Sequence, residues 1–356
     1  MIKTPMTELF GCKYPIMLAG MNWITTPKLV AAVCNAGGLG IFATARCTLE
    51  ETRKNIREIR NLTDKPFGIN QILNLGPIAK ETIEVAIEEK VPVINYTLGK
   101  PWFIDKVHAY GGKVLGTTAT VKHALKAQEI GCDAIVITGL EAAAHGEEAT
   151  TLVLLPIVAS KVKIPVISAG GFQNGGGLIA ALALGASGIS MGTRFAMTQE
   201  SPVHDNFKQY CMKATENDTL RSERFDGMPS RLLKTSVTER LVKSRFPLAE
   251  AILGAMQIKQ MLNLSWGQFI GMSIKMMTAE ESHPLWTQAR QAAFSYRALK
   301  GIYDGDMQEG VFVAGQVVGA CEDLPAVKVL VDRIMSEAEQ FIKKEHSILA
   351  EMSASR

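Results

Sequence analysis

Pro165-Val166-Ile167-Ser168-Ala169-Gly170-Gly171-Phe172 and, one helix-length later, Gly188-Ile189-Ser190-Met191-Gly192-Thr193-Arg194 decide how the chain is read. Each is a short apolar run, too short for a buried helix, that ends abruptly in glycine. Such runs are interior strands of a parallel sheet, buried on both faces. Working towards the N-terminus, the same unit recurs at 15–19, 39–43, 67–73, 91–96, 113–116 and 134–138. Helix-like stretches separate the runs. Residues 48–61 open with Thr48 and carry Glu51 three positions on, a capping box, with Leu49, Ile56 and Ile59 on one face. Residues 120–130 and 177–184 behave alike, and each is followed by a helix-stopping glycine, Gly131 or Gly185. Eight strands in unbroken alternation with helices predict an α/β fold, a (β/α)8 TIM barrel. An open doubly wound sheet is the alternative.

Beyond Arg194 the pattern changes. From 201 to 297 there is no convincing β run. The stretches 251–262 and 269–277 are Met-rich with helical spacing, and Pro229, Pro247 and Pro284 interrupt the segment. The expected organisation is therefore a barrel formed by 1–200 and 298–356, with a closing C-terminal helix over 324–350. Residues 201–297 are expected to form a helical insertion after strand 8, lying over the barrel mouth.

Bulk properties narrow the function classes. With 47% hydrophobic and 21% charged residues, the 356-residue chain has ordinary material for a core. A net charge of +3, with both signs interspersed, offers no basic face for nucleic acid. No apolar run approaches the roughly 20 residues needed to cross a bilayer. The first residues, Met1-Ile2-Lys3-Thr4-Pro5, lack a signal-peptide core. Six cysteines without paired spacing read as reduced thiols, so the cytoplasm is the expected compartment.

In a barrel, ligands are held at the C-terminal ends of the strands, and phosphates by the loops after strands seven and eight. That places Ala169, Gly170, Gly171, Gly192 and Thr193 at an expected phosphate site, where glycine lets an anion approach the amide N–H groups closely. No lysine follows the glycines, which disfavours a P-loop nucleotidase. His145, in the small-residue loop Leu140-Glu141-Ala142-Ala143-Ala144-His145-Gly146 after the sixth strand, is the catalytic candidate, since an imidazole exchanges protons near neutral pH. The other histidines (His108, His123, His204, His283, His346) have no ligand spacing, so no metal is expected. GxSxG is absent. Asn70, inside an apolar strand, needs a partner, either a barrel neighbour or the polar edge of a heterocycle. Trp23, beside Asn22, is either a hydrophobic cap or a wall of the substrate cavity.

Taken together, 15–22, Asn35-Ala36-Gly37-Gly38-Leu39-Gly40, Asp64-Lys65-Pro66-Phe67-Gly68-Ile69-Asn70, the His145 loop and 169–194 resemble the nitronate monooxygenase (2-nitropropane dioxygenase) family of FMN barrels. The resemblance covers nearly the whole chain and is most specific over 177–194, ending Met-Gly-Thr-Arg. It implies FMN across the barrel mouth, its phosphate on Gly170, Gly171, Gly192 and Thr193. Met21 and Asn70 would touch the ring or ribityl chain, beside Ala144 and Ala169. His145 matches the family's catalytic histidine, with Asn22 and Trp23 on the substrate side. Some relatives carry a lysine and an aspartate at the flavin where this chain has Thr117 and Thr138, so the cofactor's electronic tuning is expected to differ. The implied activity is oxidation of an alkyl nitronate with O2 to a carbonyl compound and nitrite; from composition no nucleic-acid or membrane partner is expected, and the sequence leaves the oligomeric state open, a homodimer being one option. The alternative is an NAD(P)H-dependent flavin reductase acting on a quinone or an unsaturated acyl-CoA or acyl-carrier-protein thioester. Arg224-Phe225-Asp226-Gly227-Met228-Pro229 and Gly315-Gln316-Val317-Val318-Gly319 resemble the longer, CoA-linked members of the superfamily.

Overall fold

A computed structural model of the protein describes residues 2–143, 145–243 and 285–354, with 256, 259, 265–267, 270 and 271 between them. Apart from 256, 259, 270 and 271, the expected helices at 251–262 and 269–277 lie outside the described residues, as does Ala144. After α1 (Pro5–Phe10), strands and helices alternate: β1 (Ile16–Leu18), α2 (Pro27–Asn35), β2 (Gly40–Ala43), α3 (Leu49–Leu62), β3 (Phe67–Ile72), α4 (Pro77–Glu88), β4 (Val93–Thr97) and α5 (Ile104–Ala109). They continue as β5 (Lys113–Thr118), α6 (Val121–Glu129), β6 (Ala134–Thr138), α7 (Thr151–Ala159), β7 (Val166–Ala169), α8 (Gly175–Ala183), β8 (Gly188–Met191) and α9 (Thr193–Ala196). All eight expected strands are present. They form one parallel sheet in the order β1-β8-β7-β6-β5-β4-β3-β2. The Met17–Leu39 bridge joins β1 to β2 and closes the ring. The fold is a (β/α)8 barrel.

Local chemistry explains the helices. Thr48 Oγ1 accepts from the Glu51 N–H at 3.2 Å and the Glu51 carboxylate accepts from the Thr48 N–H at 2.8 Å, so α3 starts where its first orphan donors are satisfied. Ile56 and Ile59 then turn inward and are fully buried. Gly131 and Gly185 end α6 and α8 with φ of +96° and +97°.

The barrel interior is layered. Met17, Leu39, Ile41, Val93, Leu115, Ala134, Val136 and Ile167 form an apolar plug, and Met6 and Phe10 of α1 close it from the N-terminal end. Each fully buried Ile or Leu contributes about 1.5–3 kcal/mol. Two residues further along the same strands, on the same face, the lining becomes polar: Asn95 follows Val93, Thr117 follows Leu115, Thr138 follows Val136. This change lies at the C-terminal rim.

After α9 come α10 (Asp205–Cys211), β9 (Thr219–Ser222), β10 (Ser230–Leu233), α11 (Ser236–Lys243), α12 (Leu285–Leu299) and α13 (Val327–Ala354). The expectation of no strand between 201 and 297 is corrected: β9 and β10 form an antiparallel hairpin in register Arg221↔Arg231. Four-residue strands that each carry an adjacent Arg–Ser pair hold too little apolar signal to be read locally. Tertiary contacts hold them, since the Leu233 N–H donates to Phe312 O at 2.9 Å and Leu232 and Leu233 are fully buried. α13 packs against α8 and α2, the place of an eighth barrel helix. Among the described residues, no helix is long and apolar enough to cross a membrane.

Candidate active site

The polar rim is hydrogen-bonded across three strands. Asn70 Nδ2 donates to Asn95 Oδ1 at 2.6 Å, and Asn95 Nδ2 donates to Leu115 O at 2.8 Å and Thr117 Oγ1 at 2.9 Å. Asn70 and Asn95 are paired in register on β3 and β4. Of the two alternatives for Asn70, the barrel neighbour is realised: its N–H is committed to Asn95, while its Oδ1 accepts no hydrogen bond among the described residues. Asn95 escaped sequence reading, although Asn95 in Val-Ile-Asn-Tyr repeats the signal of Asn70 in Gly-Ile-Asn-Gln. Gly20 allows the fit, because a Cβ there would lie 2.6 Å from Asn70 Cβ.

Opposite, across the β1–β8 pair, Gly192 sits beside Met21: a Cβ at Gly192 would lie 3.3 Å from Met21 Sδ. Thr193 is buried, and its Oγ1 accepts from the Gly315 N–H at 2.9 Å, which leaves its own proton free to donate. The N–H groups of Gly192 and Thr193 precede a helical turn and have no intrahelical acceptor. Just after β7, Gly170 and Gly171 turn with φ of +109° and +86°, values that L side chains rarely adopt. Beside them Thr138 is paired with Ala169 and is buried. Gly170 also packs on Thr151, whose Oγ1 donates to Gly170 O at 3.0 Å. Arg194, from the Met-Gly-Thr-Arg motif, turns away: it is 2% exposed and binds Asp323 O at 3.1 Å and the Asp323 carboxylate, ahead of α13.

The loop carrying His145 is pinned at several points. Glu141 caps α7, accepting from the Thr151 N–H at 2.8 Å and Thr151 Oγ1 at 2.9 Å. The Gln316 N–H donates to Glu141 O at 2.9 Å. The β9–β10 hairpin covers the loop. Arg231 donates from its backbone N–H to Ala143 O at 3.3 Å and from Nη2 to Leu140 O at 3.1 Å, and Arg221 Nη2 donates to Gly146 O at 2.8 Å. Burial lowers the proton affinity of the Arg231 guanidinium, with Arg221 adding to the effect.

His145 is itself 31% exposed and meets the turn of that hairpin. Its Nδ1 lies 3.2 Å from Pro229 O and its Nε2 3.4 Å from Asp226 Oδ2. Desolvation raises the proton affinity of Asp226 above the ordinary carboxylate range, while His145, its own turn N–H groups and Arg46 oppose the shift. Arg46, in the β2–α3 connection, lies 5.4 Å from the Trp23 ring centroid. Trp23 has a left-handed φ of 65°, and its carbonyl accepts from Tyr303 Oη at 2.7 Å. Asn22, half-buried, lies in the same β1–α2 connection. Asp226 and Arg46 were not singled out by sequence. The Asp226 segment was quoted only for resemblance, because 84 residues separate His145 from Pro229.

The rim suits a phosphorylated heterocycle. It supplies backbone donors at Gly192 and Thr193, a positive-φ glycine turn at 170–171, and an acceptor at Asn70. Among the described residues, no cluster of His, Cys, Asp or Glu is suited to a metal ion.

Known proteins align with this arrangement. The chain is 39% identical over 343 residues to the (3aS,4S,5R,7aS)-5-hydroxy-7a-methyl-1-oxo-octahydro-1H-indene-4-carboxyl-CoA dehydrogenase of Rhodococcus jostii, covering 95% of this chain and 96% of the relative. It is 31% identical over 285 residues to a probable nitronate monooxygenase of Staphylococcus aureus, covering 67% and 80%. The solved structure of FabK from Thermotoga maritima superposes with a TM-score of 0.79 at 33% identity, covering 98% of this chain and all of that one. A family model described as nitronate monooxygenase matches residues 3–337, so the chain belongs to the nitronate monooxygenase family and is an oxidoreductase of that flavin-enzyme family.

Proposed function

We propose that the protein is an FMN-dependent oxidoreductase that exchanges hydrogen across the carbon–carbon bond beside an alicyclic acyl-CoA carbonyl, rather than a nitronate oxidase. One observation carries this reading: the segment 224–229, which resembles CoA-linked members, lies directly on His145. It falls within a chain that matches a carboxyl-CoA dehydrogenase almost end to end.

Gly170, Gly171, Gly192 and Thr193 would hold the single phosphate of FMN, and Asn70 Oδ1, held by Asn95, would accept from the ring system. Met21, Thr117, Thr138 and Ala169 would line its seat. When bound, the flavin supplies a two-electron hydride acceptor or donor. The chain's own contribution is proton handling: His145 takes the proton from the carbon next to the thioester carbonyl in oxidation and returns it in reduction, a role worth about 10²–10⁴ in rate. A nitronate is already ionised and gives such a base little to do. Trp23, Asn22 and the described β9–β10 hairpin would form the substrate side. The buried free thiols fit a reducing, cytoplasmic setting.

The test is anaerobic. FMN-loaded enzyme is mixed separately with cyclohexanecarboxyl-CoA, with NADH or NADPH, and with propyl-2-nitronate, and the visible flavin band is followed. Bleaching by the thioester, lost in His145→Ala while the protein stays yellow, is expected. Bleaching by the nitronate with none by the thioester refutes the substrate class and restores nitronate oxidation.

A further inference from the structure

Asp226 reaches His145 in an arrangement that constrains where protons sit. A carbonyl oxygen only accepts, so the Pro229 contact requires the proton of neutral His145 to be on Nδ1. Nε2 then presents a lone pair towards Asp226 Oδ2, 3.4 Å away. Two lone pairs at that separation repel unless a proton lies between them, on the imidazole or on the carboxyl. Asp226 is only 6% exposed, so water offers its carboxylate little relief.

We propose that Asp226 is a positioning residue for His145: together they hold one shared proton, and the β9–β10 turn seats fully on the His145 loop only while that proton is present. The pair is then a proton store that loads when the substrate proton arrives and releases it as the turn loosens. This rests on the reading of His145 as the proton-transfer group.

Burial favours the protonated form of Asp226, and Arg46, from the β2–α3 connection, acts against it. From β9, Arg221 is paired with the exposed Glu148 carboxylate. Asp226 itself is held open by the Met228 N–H, which donates to Oδ1 at 3.2 Å and leaves Oδ2 to face the histidine.

The experiment is a pH titration of 15N-histidine-labelled protein, wild type against Asp226→Asn and Asp226→Glu. His145 is assigned by its loss in His145→Gln. The expected result is an Nδ1-protonated neutral ring whose midpoint falls by about one pH unit in Asp226→Asn and recovers in Asp226→Glu. In the FMN-loaded enzyme, kcat/KM should drop by roughly 10–100-fold in Asp226→Asn, and the acid limb of the pH profile should move the same way. A neutral ring protonated on Nε2, or a midpoint unmoved in Asp226→Asn, overturns the proposal. A wild-type rate retained by His145→Gln instead overturns the reading beneath it. Because burial makes ionised Asp226 costly to the fold, Asp226→Asn should keep or raise the melting temperature at pH 8. Loss of activity with a lower melting temperature and an unmoved midpoint assigns Asp226 a merely structural role.

Discussion

Replacing Asn95 by leucine tests whether the rim amides are a built network or incidental polar atoms in a hydrophobic core. The two views differ in sign. Asn95 is 3% exposed inside a strand flanked by Ile94 and Tyr96. If burial alone governed, leucine would stabilise by about 1.5–3 kcal/mol. The structure argues otherwise. Asn95 makes three short hydrogen bonds, to Asn70, Leu115 and Thr117, each worth about 1 kcal/mol net. Its removal also strands the Asn70 amide, a buried donor whose desolvation costs about 1–3 kcal/mol more. The expected net is a loss of roughly 2–4 kcal/mol, a fall in melting temperature of about 3–5 °C for a chain of this size. Urea unfolding by circular dichroism and a thermal scan measure it, with the denaturant slope checked for an unchanged mechanism. The double variant Asn70→Leu/Asn95→Leu leaves no stranded donor and should lose less stability than the sum of the two single losses. A melting temperature for Asn95→Leu at or above wild type would refute the network.

Three further outcomes follow from the same geometry. Gly170→Ala forces an alanine to a φ of +109° with its Cβ 2.8 Å from Thr151 Oγ1, so FMN affinity by fluorescence titration should fall about tenfold or more; unchanged affinity removes Gly170 from the cradle. Glu141→Ala uncaps α7 and frees the His145 loop, with an expected stability loss of about 1–2 kcal/mol and faster amide hydrogen exchange over 139–150, which a mass-spectrometric exchange series would read. Burial pushes the Cys12, Cys47 and Cys321 thiols up to about 11 and Cys34 to about 12, so they stay protonated at pH 8. A thiol reagent at that pH should therefore label the native protein slowly and all six cysteines after denaturation; rapid labelling of the native protein would contradict the burial.

The barrel was legible from residues alone because its signals are local. Short apolar runs, a Thr48–Glu51 capping box and stop glycines at 131 and 185 act within a few positions, and their physics does not depend on the rest of the chain. The turn after β7 was legible for the same reason, since glycine at 170 and 171 announces a backbone conformation that other residues resist. Folding decided what depends on distance. The 219–233 hairpin exists only because buried Leu232 and Leu233 and the backbone partner at Phe312 hold two polar tetrapeptides together. Asn95 acquired its role from Asn70 and Thr117 on neighbouring strands. Asp226 became a partner of His145 through a turn far along the chain, and no periodicity or spacing encodes such a meeting. Hydrogen bonds and ion pairs are made between surfaces that folding brings face to face, so their partners are set by three-dimensional packing, while strand, turn and cap preferences are already set by the covalent chain.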